Sequence, residues 1–245
     1  MEAATSTKAN TYTSIPSGVY ALKRDFNAST RSIGLPAIAL AFDWVFWLTA
    51  QHYLWKDALQ FNLHPSIPLG TGSNVKVADV ATGNSIWLLD LARDLPPTTQ
   101  LDGFDVSLDQ CPPSPWLPAN VDLHTWNIFE DPPSEFIEAF DVVHIRLITV
   151  AIKNDDPRPV LANLRKLLKP QGYLQWDEVD SVDWTIKSTH ASLPTDALKC
   201  LFQQLCGTDS WKRTMVKTLE ENGFSNSQLH RYEYDTAMAR LWSDV

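Results

Sequence analysis

Two acids and one tight turn carry most of the chemistry this chain can offer. Asp79 lies near the end of an apolar run over 75–80, and Ala81, Thr82, Gly83, Asn84 and Ser85 follow it. Ile86, Leu88, Leu89 and Leu91 then recur at helical spacing. A strand, a turn of small residues and a helix start together let backbone bend sharply against a ligand and offer it unpaired N–H groups. An intact loop of this kind carries glycine at the positions of Ala81 and Ser85 as well as at Gly83. The turn therefore reads as a nucleotide-cofactor loop with two glycines replaced by very small residues, and Ser85 is placed to cap the helix. Asp105 ends the next apolar run 22 positions after Gly83, the spacing at which an acid takes the hydroxyls of a ribose.

Three more positions have types suited to the same crevice. A third run ends in Trp126-Asn127-Ile128, where the Asn127 amide can either donate to and accept from an adenine edge or simply form a turn. A fourth, Phe140-Asp-Val-Val-His-Ile-Arg146, leaves Arg146 at its carboxyl end, where open α/β sheets bind ligands; His144 alternates with it, facing the crevice or satisfied within the fold. The candidate general bases are His52, in a helical stretch ahead of the turn, and Glu178, which follows a fifth run beside Asp177.

The elements that must hold these residues alternate as in parallel α/β proteins. Strands are expected over 75–80, 100–104, 121–126, 140–145 and 172–176, with helices over 86–95, 133–139 and 157–168 between them. Lys169-Pro-Gln-Gly172 reads as a helix stop. Residues 36–63 read as one or two helices with Trp44, Trp47, Leu48 and Gln51 on one face, and 64–74 as a Pro- and Gly-rich linker. Residues 1 to about 32 show little apolar periodicity. Helices over 194–206 and 209–222, the second stopped by Gly223, precede a strand over 227–234. The organisation expected is an N-terminal extension and helical cap over 1–74, then a Rossmann-like domain over 75–245 with a helical insert around 181–222.

Composition narrows the partners. At 245 residues with 44% hydrophobic and 20% charged residues, a sizeable core is available. The net charge of −9 offers no basic stripe for nucleic acid. Ten Trp, ten Phe and six Tyr suit an aromatic-rich core or a pocket for a flat apolar molecule. Cys111, Cys200 and Cys206 form no disulfide framework and no metal-ligand spacing, so free thiols, no metal and a cytoplasmic setting are expected. The N-terminus lacks the order of a secretory signal, leaving Asn27 an unused sequon. The apolar stretch 34–55 is interrupted by Asp43, Gln51 and His52, short of the roughly 20 residues a membrane span requires. A small-molecule substrate fits best, with a homodimer left open.

Taken together, Val77-Ala-Asp-Val-Ala-Thr-Gly-Asn-Ser-Ile-Trp87, Leu101-Asp-Gly-Phe-Asp-Val-Ser107, Trp116-Leu-Pro-Ala-Asn120, Phe140-Asp-Val-Val-His-Ile-Arg146 and Leu167-Leu-Lys-Pro-Gln-Gly-Tyr-Leu-Gln-Trp176 resemble one family. It is the class I S-adenosylmethionine-dependent methyltransferases, of the small-molecule type found in fungal secondary metabolism. Gln51-His-Tyr-Leu-Trp-Lys56 resembles that family's N-terminal cap. The resemblance covers roughly residues 51–234 and implies a Rossmann-like sheet with helices on both faces and S-adenosylmethionine lying across the strand ends. By position it implies that Asp79, Ala81 and Gly83 meet the methionine part, Asp105 with Val106 the ribose, and Asn127 with Ile128 the adenine. The implied reaction is O- or N-methylation of a small aromatic or polyketide-like metabolite; His52 is the first candidate base, Glu178 the second, and Arg146 a further catalytic candidate. The alternative keeps the fold and replaces methyl transfer by a cyclisation or rearrangement, with His52 or Arg146 polarising the substrate. The family sheet closes with an antiparallel hairpin of two last strands, of which this chain shows only the first.

Overall fold

Short apolar runs bounded by Pro, Gly and Asn become the strands of one sheet. The computed structural model describes residues 9–15, 37–69, 75–179, 200 and 210–233. The strands are β1 (Ala9–Ile15), β2 (Lys76–Val80), β3 (Gln100–Asp105), β4 (Val121–Thr125), β5 (Phe140–Arg146), β6 (Leu168–Val179) and β7 (Ser225–Arg231). Their order is β4-β3-β2-β5-β6-β1-β7, and every pairing is parallel. From β2 the chain winds outward to β3 and β4, then returns to the other side of β2 as β5 and β6. The β2/β5 boundary is thus a topological switch point, where the strand ends open a crevice.

The helices are α1 (Ala37–Leu59), α2 (Ile86–Asp94), α3 (Arg158–Leu167) and α4 (Met215–Glu221). Alternate residues of a strand point to opposite faces, and the two main core clusters divide on that rule. Val77, Leu101 and Val142 pack with Trp87, Leu88 and Leu91 of α2. Their strand neighbours Ala78, Val80, Val143 and Ile145 pack with Val160, Leu161, Leu164 and Leu167 of α3 and with Met215 and Leu219 of α4. Each fully buried leucine of α3 contributes about 1.5–3 kcal/mol through its removal from water. Helices therefore cover both faces, as expected of a Rossmann-like α/β fold.

Several local expectations are corrected. The short helix over 133–139 is only a 3-10 turn, Ser134–Phe136, framed by Pro133 and by Glu138 at φ 51°. Lys169-Pro-Gln-Gly172 is an irregularity inside β6: Leu168 pairs with Phe140, and the next partner of β5 is Tyr173, opposite Val142. Leu168, directly after α3, already pairs with Phe140 of β5, so the strand begins without a separate loop. The stretch over 209–222 starts as a 3-10 turn, Ser210–Thr214, before α4, and Gly223 at φ 84° ends it as expected. The sheet is extended by β1, from a region with no strand periodicity, inserted in parallel between β6 and β7. The expected helix over 194–206, apart from Cys200, and residues 70–74 of the linker lie outside the described residues, as do Asn27 and Cys206. Among the described residues no helix is long and apolar enough to cross a membrane.

Close packing of α2 on the sheet depends on one glycine. A β-carbon on Gly103 would stand 2.6 Å from Leu123 Cδ2, 3.2 Å from Leu88 Cδ2 and 3.3 Å from Thr82 Cγ2. Gly103→Ala is expected to lower stability by about 1–3 kcal/mol, read as a lower urea midpoint at unchanged m.

Candidate functional site

The turn between β2 and α2 keeps the backbone of a glycine loop with only one of its glycines. Ala81, Gly83 and Ser85 have φ of 58°, 59° and 60°, so all three positions are left-handed, a region where a side chain costs roughly 1–2 kcal/mol. The cap expected from Ser85 is made by its neighbour. Asn84 Oδ1 accepts from the Ile86 N–H at 3.2 Å, while the Ser85 hydroxyl donates to the Asn84 carbonyl at 2.7 Å. Left-handed φ at Ser85 is incompatible with the extended backbone an N-cap uses.

Asp105 sits directly against this turn. Its Oδ2 accepts from the Gly83 N–H at 2.8 Å and its Oδ1 from the Val106 N–H at 2.7 Å. Burial raises the carboxyl pKa, and the backbone N–H bonds oppose that shift. Asp79 lies beneath the turn and is buried. Its Oδ2 accepts from the Thr82 hydroxyl at 2.6 Å, and its Oδ1 is 2.7 Å from His144 Nδ1. Val106 is exposed and Ile128 buried. The Asn127 side chain is engaged in its own turn, accepting from the Phe129 N–H at 3.2 Å and donating to Glu130 at 3.1 Å. Cys111, which sequence reasoning had not linked to the loop, donates its thiol to the Gly83 carbonyl at 3.1 Å, and burial pushes its pKa up to about 11.

Strand parity sorts the remaining candidates. Asp79, His144, Arg146, Gln175 and Asp177 share the face covered by α1 and α2. His144 bridges two carboxylates, Asp79 and, through Nε2 at 3.2 Å, Asp177, and its ring stacks on Trp87 at 3.7 Å. Burial disfavours its charge, but the bonds to Asp177 and Asp79 outweigh that and raise its pKa. Glu178 lies on the opposite face. Its Oε1 accepts from the Ile148 and Thr149 N–H groups and from Trp176 Nε1, and its Oε2 from the Thr149 hydroxyl at 2.7 Å. The carboxylate is fully buried and holds the loop after β5.

The helical cap reaches the same edge. Leu48 lies where a β-carbon on Gly83 would be 3.4 Å away, and Asn84 donates to the Val45 carbonyl and to Thr49. His52 is 0% exposed, with Nε2 3.0 Å from Asp90 and Nδ1 3.4 Å from both terminal nitrogens of Arg146. Burial and then the Arg146 charge push its pKa down to about 4, so the ring is neutral near pH 7 and accepts from Arg146 at Nδ1. Burial works against the Asp90 charge, yet bonds from Lys56, His52 and Asn62 hold that carboxyl at about 2. The structure thus brings His52 and Arg146 together and keeps Glu178 apart from both.

This geometry can be set beside known proteins. No protein-family model matches the chain. The methyltransferase grgD of Penicillium sp is 36% identical over 132 residues, covering 50% of this chain and 46% of that protein. The N-methyltransferase verN of Clonostachys rogersoniana is 35% identical over 102 residues, covering 42% of this chain and 36% of that protein. About half of the chain is thus similar to part of these fungal methyltransferases. The match spans less than half the length of either curated relative. Among solved structures, the CurJ carbon methyltransferase superposes with a TM-score of 0.45 at 17% identity, over 64% of this chain and 43% of that one.

Two outcomes follow from the strained turn and the neutral imidazole. Ala81→Gly is expected to stabilise the protein by about 1 kcal/mol and Gly83→Ala to destabilise it by about 1–2 kcal/mol, both read from urea midpoints. Burial holds the His52 pKa down at about 4 in the fold against the ordinary 6.5 of a free imidazole, so between these values the unfolded chain binds more protons and stability rises with pH. Its contribution, on the order of 3 kcal/mol, is complete above pH 6.5 and lost as pH falls to about 4. His52→Gln removes that part of the acid slope in denaturation series across pH.

Proposed function

We propose that the chain binds S-adenosylmethionine across the ends of β2 and β3 and methylates an oxygen or nitrogen of a small aromatic or polyketide-like metabolite. The observation that carries this reading is the triple left-handed turn at Ala81, Gly83 and Ser85 closed by the Asp105 carboxylate. The turn keeps backbone against the crevice, and among the described residues beyond its chain neighbours a β-carbon at 83 would meet Leu48 at 3.4 Å. Asp105 offers two acceptor oxygens at the turn, suited to a pair of ribose hydroxyls. Relationship to fungal methyltransferases supports the same reading.

Residues 81–83 would hold the methionine end through their backbone, with Asp79 supporting the turn from beneath. Asp105 and Val106 would hold the ribose, and Ile128 with the Asn127 backbone would border the adenine. Bound there, the cofactor supplies an electrophilic methyl group. The chain's own task is to place the acceptor in line with it. His52 and Glu178 are both fully buried with their polar atoms engaged, which favours placement of the acceptor over proton removal by either residue.

Titration calorimetry checks the proposal. S-adenosylmethionine and S-adenosylhomocysteine should both bind in the micromolar range, and Asp105→Ala should weaken binding about 10- to 100-fold through loss of charge-assisted bonds. No heat of binding up to millimolar ligand would overturn it.

A further inference from the structure

Arg146 is a half-buried cation at the switch point of the sheet, and the contacts that hold it leave most of its hydrogen-bonding capacity unused. A guanidinium has five N–H donors in a planar fork. Among the described residues its two terminal nitrogens share a single acceptor, His52 Nδ1, at 3.4 Å, and its cationic carbon lies 5.5 Å over the Trp55 ring. Among the described residues no carboxylate lies within ion-pair distance of it. Asp79 and Asp177, whose charges reach Arg146 from beyond ion-pair distance, are bonded to His144.

The support behind this cation is rigid. His52 is fixed by Asp90, which in turn takes Lys56 at 2.7 Å and Asn62 at 3.1 Å. Immediately after Arg146 the backbone turns through Leu147 at φ 56°, a strained conformation for a bulky residue, locked by its N–H on the Asp177 carbonyl at 3.0 Å. Aromatic surface flanks this pair: Trp55 lies under the guanidinium, and Tyr53, exposed on α1, packs edge-on against the His52 ring with centroids 5.1 Å apart. A planar cation braced from behind, with its fork unsatisfied beside apolar surface, is complementary to a planar anion on a flat apolar molecule.

We propose that Arg146 is a carboxylate-binding residue that anchors an aromatic acid in the crevice, with His52 acting as its positioning residue. The inference rests on the crevice being the methyl-transfer site, and the carboxylate is that of the acceptor.

Benzoate and its neutral isostere benzamide are the probes, titrated into the full chain with and without saturating S-adenosylhomocysteine. Wild-type protein should bind benzoate at least 10-fold more tightly than benzamide, and Arg146→Gln should abolish the difference while Arg146→Lys, which keeps the charge and loses the fork, retains part of it. Benzoate binding that survives saturation assigns the carboxylate to the acceptor. Competition between the two, with Arg146→Gln weakening S-adenosylhomocysteine but not methylthioadenosine, places Arg146 on the cofactor's amino-acid end and overturns the proposal. Equal binding of benzoate and benzamide by the wild-type protein, or no binding of either, overturns the proposal without any variant. Failure of S-adenosylhomocysteine to bind would instead strike at the methyltransferase reading, and the benzoate arm without cofactor would still report on Arg146.

Discussion

The imidazole of His144 is the joint on which the site side of this molecule depends. Three parallel strands present polar residues to one face at the switch point, an expensive arrangement in a core unless every charge is met. His144 on β5 meets Asp79 on β2 with one nitrogen and Asp177 on β6 with the other, so a single ring ties the centre of the sheet together. The stack on Trp87 carries the same constraint into α2. Because Asp79 also receives Thr82, the position of the turn is set from beneath. The buried histidine therefore serves geometry: it fixes where the turn, Asp105 and Arg146 stand relative to one another.

Much of this was legible in the residues, and the reasons are local. The runs that became β2 to β5 are apolar enough, and the turn residues between them small enough, that no other assignment competes. Helix α3 announces itself through leucines at 161, 164, 167 and 168, the last of which already belongs to β6. The turn was recognisable from Gly83 and its spacing to Asp105. That Ala81 and Ser85 keep a glycine's backbone was not, since side-chain size says nothing of φ.

The site was less legible than the fold because burial decides function and sequence gives it poorly. His52 and Glu178 have the right chemistry for a base, yet each is enclosed: His52 by Asp90 and Arg146, Glu178 by the loop after β5. Period-two counting along β5 and β6 separates Glu178 from Arg146 and pairs Asp177 with it in register, a signal present in the sequence once the register is known. The partnership of His52 with Asp90 joins α1 to α2 across 38 positions, and no short-range pattern announces it.

The parallel strand β1 has a consequence for how this chain reaches its fold. Asn10 pairs with Leu174 and Tyr12 with Leu229, so β1 is held by two strands that lie far along the chain from it. Pairings so distant in sequence are slow to form, because loop-closure entropy opposes them until the intervening core exists. The central strands β2 to β5, joined by short connections, can assemble while the N-terminal strand still waits for its neighbours. Until β1 docks, β6 presents an open edge that wrong partners can pair with.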